Sequence, residues 1–208
     1  MTAQAGDTLI SQADAKQSLR RLFRAQRKAI PRAQRLHGAA RAARRADAFL
    51  RRHGARCVAV YLPHGSELDT WPLIGKLQRR GIKVLVPKLT PVAGRMNFVR
   101  LGRTHHAVRH AANRYGIVEP KRQRRIAARA VDVVLVPLLA VDKRGLRLGA
   151  GGGYYDRWFA SHAAGRRPLR VGYAHLEQLS DQPLPHQAWD IRLHGLITPA
   201  GIRRFRNR

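Results

Sequence analysis

Along the first quarter of the chain, apolar residues recur with helical spacing. From about residue 11 to 29, Leu19, Leu22, Phe23, Gln26 and Ile30 fall within one arc about 100° wide when each residue advances 100°. Lys16, Arg20, Arg24 and Arg27 occupy an arc about 80° wide beside it, which predicts an amphipathic helix with a basic flank. Pro31 suits the first position of a second helix. That helix is expected to run to about His53, with Leu36, Ala39, Ala40, Ala43, Phe49 and Leu50 as its apolar side. The period then changes. CVAVYL (57–62), KVLVP (83–87), MNFVRL (96–101), LRVGYA (169–174) and HGLIT (194–198) read as short strands, and VDVVLVPLLAV (131–141) as one long buried strand. Trp71 to Arg80, closed by Gly81, and Tyr154 to about Ala164 read as helices between them. Gly102 to Ala130 is polar and irregular, with GIVEP (116–120) as a candidate anchor.

Strands rich in Val, Ile and Leu that alternate with helices predict an α/β fold. The expected architecture is a mostly parallel sheet covered by helices on both faces, a Rossmann-like three-layer sandwich, with an N-terminal helical hairpin. One domain is expected over 11–200, between a flexible N-terminus (1–10) and a frayed basic tail (201–208) ending IRRFRNR.

Charge changes the picture more than length does. The 208 residues carry 41 Lys+Arg against 12 Asp+Glu, a formal net charge of +29, and 34 of the basic residues are arginine. Such a balance attracts polyanions. It also arises when a bias toward Arg and Ala codons swaps Arg into solvated positions, and the Arg:Lys ratio and Ala-rich stretches favour that origin. From Lys16 through Arg56 there are 14 basic residues and one acid, Asp47, so most of these side chains must face water. A basic RNA-binding protein on an α/β scaffold stays as the alternative. Scarce aromatics in the basic stretches and the lack of an RNA-binding motif weigh against it. Cys57, the lone cysteine, sits in an apolar run and reads as a small buried hydrophobe. No apolar stretch reaches transmembrane length, and no signal peptide is expected, because MTAQAGDTLISQ carries no basic region followed by an apolar core. The expected state is a cytoplasmic monomer with no membrane partner.

The sharpest local signal is LGAGGGYYDR, residues 148–157, between a buried strand and a helix. Glycines let backbone approach a ligand closely. A helix N-terminus presents free N–H groups and partial positive charge, which suits phosphate. The run matches neither a Rossmann fingerprint, because Tyr154 stands where the last glycine belongs, nor a Walker loop, because no GK[ST] follows. A plain glycine-rich turn with two core tyrosines is the competing reading; the adjacent Tyr-Tyr-Asp favours a phosphate site.

KQSLR (16–20), ELDT (67–70), YGIVEP (115–120), VDKRGLRLGAGGGYYDR (141–157) and WDIRLHGLIT (189–198) occur in this order, and together they make the chain resemble the 5-formyltetrahydrofolate cyclo-ligase family. The resemblance implies a catalytic domain in which ATP activates 5-formyltetrahydrofolate and closes it to 5,10-methenyltetrahydrofolate, releasing ADP and phosphate. It implies ATP contacts from Lys16, Arg20, Gly149, Gly151, Gly152, Gly153, Tyr154 and Asp156. Folate contacts would come from Glu67, Gly153 and Tyr154, catalytic roles fall to Tyr154 and Arg147, and Mg2+ ligands are Asp156 and Asp190. The plain alternatives are a solvated helix face for Lys16 and Arg20, a cap or surface charge for Glu67, and a salt bridge to Arg147 or Arg157 for Asp156. Tyr155, Trp71, Trp158 and Trp189 read as packing or rim residues, Phe98 and Val99 as a possible pocket wall, and His105 and His106 as loop residues. Leu138, where the family carries glycine, and Ala150, where it carries a larger residue, depart from the pattern.

Overall fold

The computed structural model describes residues 3–102, 110–112, 118–120, 125–162 and 168–205. Two helices open the chain, α1 (Ala3–Ala29) and α2 (Arg32–Arg52). The first begins well before residue 11, inside the segment expected to be a flexible N-terminus. Pro31 caps the second helix from outside rather than entering it. Then come β1 (Cys57–Ala59), α3 (Trp71–Arg79), β2 (Lys83–Leu89), β3 (Met96–Arg100), β4 (His110–Ala112), β5 (Val118–Pro120), β6 (Val133–Val136), β7 (Ala140–Val141), β8 (Arg147–Leu148), α4 (Tyr154–His162), β9 (Leu169–Tyr173), β10 (Gly195–Ile197) and β11 (Ile202–Arg204).

The main sheet has seven strands in the order β11-β10-β9-β6-β1-β2-β3. The inner five run parallel, and β3 and β11 close the edges antiparallel. Alternation in the strands decides which layer each side chain joins. Val58, Val84, Val86, Val133 and Leu135 pack with Ala39, Ala42, Ala43, Ala46 and Leu50 of α2 and Leu73, Ile74 and Leu77 of α3. Their neighbours Cys57, Ala59, Leu85, Val134 and Val136 pack on the opposite face with Trp158 and Phe159 of α4. The three-layer sandwich expected from the pattern is therefore present. Small alanines let α2 approach the sheet; Leu36, expected on its apolar side, is instead exposed.

Two further expectations change. The long strand 131–141 divides at Pro137, which has no N–H for the ladder. Beyond it the Leu138 and Leu139 carbonyls accept from Gln178 Nε2 (2.6 and 3.3 Å), and β7 and β8 form a separate hairpin. The Asp142 carboxylate fastens that hairpin's turn by accepting from the Arg144, Leu146 and Leu184 N–H groups (2.9, 3.0 and 3.1 Å). The supposed frayed tail supplies β11, and Phe205 packs into the α4-side core. Leu138 fills space above Gly172, where a Cβ would stand 2.9 Å from its Cδ2.

Helix α1 serves a different surface from α2. Phe23 packs with Leu139, Ala140, Leu148 and Leu184, against the hairpin that extends beyond β6. Lys16, Phe23, Arg27 and Ile30 are buried, while Leu22 and Gln26 are exposed. The inward face is thus rotated by about 60° from the apolar arc toward the cations.

Candidate functional site

The glycine-rich turn lies between β8 and α4, as the spacing predicts, and Gly151 and Gly152 are exposed. Gly151 (φ +112°) and Gly153 (φ +62°) adopt backbone conformations that favour glycine, so this path excludes ordinary side chains. The turn delivers the chain into the first residues of α4, whose free N–H groups carry partial positive charge. Arg157 anchors the turn from the helix side by donating to the Gly152 carbonyl and, at 2.8 Å, to that of Gly94.

Cations and carboxylates converge here from three separate stretches. Arg20 Nε donates to the Gly149 carbonyl at 3.1 Å, so α1 touches the turn directly. Lys16 Nζ lies 2.6 Å from Asp190 Oδ2, with both side chains largely buried. Arg147 forms a two-pronged contact with Asp156, at 2.9 and 3.3 Å, and its side chain is 5% exposed. The segment carrying Asp190 is tied to Asp156, whose Oδ1 accepts from the Ile191 N–H at 3.1 Å. Lys16, Arg20, Arg147, Asp156 and Asp190 therefore share one neighbourhood with the glycines, despite wide separation in sequence. The salt-bridge reading of Asp156 holds with Arg147 as partner.

Tyr154 opens α4 half-buried, with the Arg157 guanidinium 5.6 Å above its ring. Tyr155 points its ring toward Phe98 and Phe159, yet its hydroxyl is buried without a hydrogen-bond partner. Burial drives its pKa up, with the Glu67 charge adding to the rise and Arg147 opposing it. That phenol marks where the Glu67 loop and the glycine-turn region come within electrostatic reach.

Glu67 belongs to the loop that leaves β1. It does not cap α3; Thr70 stands at the N-cap, and the Asp69 carboxylate accepts from the Trp71 N–H at 2.9 Å. The loop is pinned at several points. Tyr61 donates to the Leu68 carbonyl (2.7 Å), and Thr70 Oγ1 to the Tyr61 carbonyl (2.8 Å). Arg27 Nε donates to Ser66 Oγ (3.1 Å). The Glu67 carboxylate accepts from the His64 N–H at 3.0 Å and lies 3.8 Å from Arg27 Nη1. Burial raises the Glu67 pKa, while the His64 hydrogen bond and Arg27 pull it down.

Two more buried polar atoms lack partners beside this loop, the Tyr173 hydroxyl and His175 Nε2. Tyr173 is the last residue of β9 and His175 lies just beyond it, and neither drew attention in the sequence. Burial lowers the His175 pKa, and Arg27 acts in the same direction. The only signal for them was position at a strand's carboxyl end. Phe98 and Val99 are core residues, Trp158 is buried and Trp189 is 61% exposed. His105 and His106 lie outside the described residues. A groove of about 700 Å³ runs along α1, lined by Leu19, Phe23, Ile30 and Leu179, and none of these charged groups lines it.

Among the described residues no group of three or more His, Cys, Asp and Glu side chains is arranged to hold a metal ion, and no helix is long and apolar enough to cross a membrane. These features define an open-sheet α/β protein whose polar site lies beyond the carboxyl ends of its parallel strands. The chain belongs to the 5-formyltetrahydrofolate cyclo-ligase family, whose family model matches residues 12–199. It is similar to the 5-formyltetrahydrofolate cyclo-ligase of Escherichia coli (strain K12), 40% identical over 151 residues, 71% of this chain and 80% of the relative. It is also similar to the enzyme of that name from Mycolicibacterium smegmatis, 33% identical over 188 residues, 88% of this chain and 93% of the relative. The solved structure of Aquifex aeolicus 5,10-methenyltetrahydrofolate synthetase superimposes with a TM-score of 0.77 at 27% identity, covering 93% of this chain and 94% of that one.

Proposed function

We propose that this protein closes 5-formyltetrahydrofolate to 5,10-methenyltetrahydrofolate at the cost of one ATP. The observation that carries the reading is the convergence of Lys16, Arg20 and Arg147 on the turn Gly149–Gly153, at the N-terminus of α4. Backbone N–H groups and three cations form a cradle suited to a polyphosphate.

A formamide oxygen is a poor leaving group. In the proposed reaction that oxygen attacks the γ-phosphorus, and the bond to ADP breaks. The folate's second nitrogen then attacks the activated formyl carbon. The carbon–oxygen bond breaks, phosphate departs, and the nitrogen gives up its proton. Arg147 neutralises charge on the transferring group, and the Tyr154 phenol hydrogen-bonds the formyl oxygen. Glu67 accepts N–H bonds from the pterin ring. Tyr155, Tyr173 and His175 offer buried polar atoms with hydrogen-bonding capacity to spare on the same side.

Magnesium fits the donor set. It favours one or two carboxylates completed by phosphate and water, and Asp156 and Asp190 would hold it. There it would offset charge on the phosphates. Each carboxylate is paired with a cation, Asp156 with Arg147 and Asp190 with Lys16. Lys16 and Arg147 thus hold the acids in position and are the cations able to turn toward phosphate.

The test uses purified protein with ATP, magnesium and 5-formyltetrahydrofolate, following absorbance of the methenyl product. Product should form only when all components are present; a well-folded protein that forms none would overturn the reading.

A further inference from the structure

Arg27 is one of 14 basic residues between Lys16 and Arg56, yet it is 9% exposed, whereas Arg21, Arg24 and Lys28 face solvent. Burying a guanidinium is costly unless it is paired and hydrogen-bonded. Arg27 meets that need on the Glu67 loop, through Ser66 Oγ at 3.1 Å and the Glu67 carboxylate at 3.8 Å. The second distance is beyond hydrogen-bond range, so Glu67 Oε1 keeps its capacity to accept from a ligand. Its other oxygen is fixed by the His64 N–H. The carboxylate is therefore oriented from two sides without being consumed.

The same helix face holds the nucleotide-side contacts. Lys16, Arg20 and Arg27 fall within an arc about 40° wide, and Arg20 and Arg27 are about 10 Å apart along the axis. We propose that Arg27 is a positioning residue for formylfolate: it fixes the 63–69 loop and presents the Glu67 carboxylate to the pterin, from the helix that also touches the glycine turn. This assignment rests on the cyclo-ligase reading and extends it to a residue in contact with neither reacting group.

The groups acting on Glu67 are Arg27 from α1 and His64 from its own loop, and Glu67 in turn raises the pKa of Tyr61 beyond β1 and of Tyr155 from α4. Burial raises the Glu67 pKa and Arg27 opposes the rise. Removing the Arg27 charge leaves the carboxyl higher still. The ionised form that accepts pterin N–H bonds is then lost at a higher pH as acid is added.

The test measures equilibrium affinity for 5-formyltetrahydrofolate and, separately, for ATP, across pH, in wild type, Arg27→Gln, Arg27→Lys and Ser66→Ala. Arg27→Gln should weaken folate affinity about tenfold or more, leave ATP affinity within about twofold, and move the acid limb of folate binding to higher pH. Arg27→Lys should restore the limb without restoring full affinity, because the Ser66 bond is lost. Ser66→Ala keeps both charges and serves if the glutamine variant misfolds; it should weaken folate affinity by less and leave the limb in place. Equal losses of folate and ATP affinity, or an unmoved limb in Arg27→Gln, would reduce Arg27 to a structural residue while the cyclo-ligase reading stands. A wild-type protein that binds no formylfolate would remove that reading, and this assignment with it.

Discussion

The two halves of the site are built on opposite principles. At the glycine turn, charge is abundant and matched: Lys16 with Asp190, Arg147 with Asp156, and Arg20 on the Gly149 carbonyl. Around Glu67, burial dominates: the carboxyl is pushed up in pKa, and the Tyr155 and Tyr173 hydroxyls and His175 Nε2 are buried without partners. The first arrangement suits a highly charged ligand, which can exchange into existing ion pairs. The second suits a flat heterocycle, which supplies N–H groups and apolar area while excluding water. A buried polar atom left unpaired costs about 1–3 kcal/mol, so three such atoms in one region are expensive unless a ligand meets them.

If the contrast is real, the largest effect comes from breaking the charged half. Asp156→Asn should lower turnover by roughly 10²–10³ while folate affinity is nearly kept. Steady-state kinetics with direct binding measurements check this, and a collapse of folate affinity at unchanged turnover would move Asp156 to the other half. Next in size, Lys16→Ala or Arg20→Ala should raise the KM for ATP about tenfold with little change in the KM for folate. A comparable rise in both would mean that α1 serves one merged pocket.

The buried half should respond with the opposite sign in stability. Tyr155→Phe removes a hydroxyl that has no partner, so thermal stability should hold or rise, by at most about 1 kcal/mol. Formylfolate binding should weaken by less than tenfold. A destabilised variant would show that the hydroxyl is satisfied in solution. Outside both halves, the remaining effect is on stability against pH. His194 Nδ1 accepts from the Arg170 N–H, and burial and the Arg170 charge lower its pKa to about 4, from an ordinary 6.5. A lowered folded-state pKa gives stability that is present above 6.5 and lost as pH falls toward 4. His175, also lowered by burial, adds to this slope. His194→Gln should flatten part of the acid loss seen by thermal melting, and an unchanged slope would reassign it.

The sequence was informative where chemistry is local. The Val- and Leu-rich runs VVLV (133–136) and KVLVP were legible as strands of a sheet covered on both faces, and the glycine run was legible as a turn between strand and helix. It was less informative where distant segments decide. Pro137 ends β6, because the chain turns outward there into contacts with Gln178. The last residues pair as β11, because β10 leaves an open edge that basic composition does not advertise. The inward face of α1 lies about 60° from the apolar arc that includes Leu22, which is exposed. Lys16, Arg20 and Arg27 point inward toward Asp190, Gly149 and Ser66, all far along the chain. For the same reason Arg27 looked like any other of 34 arginines. Nothing within its own helix distinguishes it; Ser66 and Glu67 do.

Phosphoryl transfer from ATP at the glycine turn is proposed to be coupled to ring closure beside the Glu67 loop. The direct measurement is ADP release and methenyl product formation in the same reaction, with and without 5-formyltetrahydrofolate. The account predicts equimolar ADP and methenyl product, and negligible ADP without the folate. ADP release that continues unchanged without the folate, or that yields no methenyl compound, would contradict it.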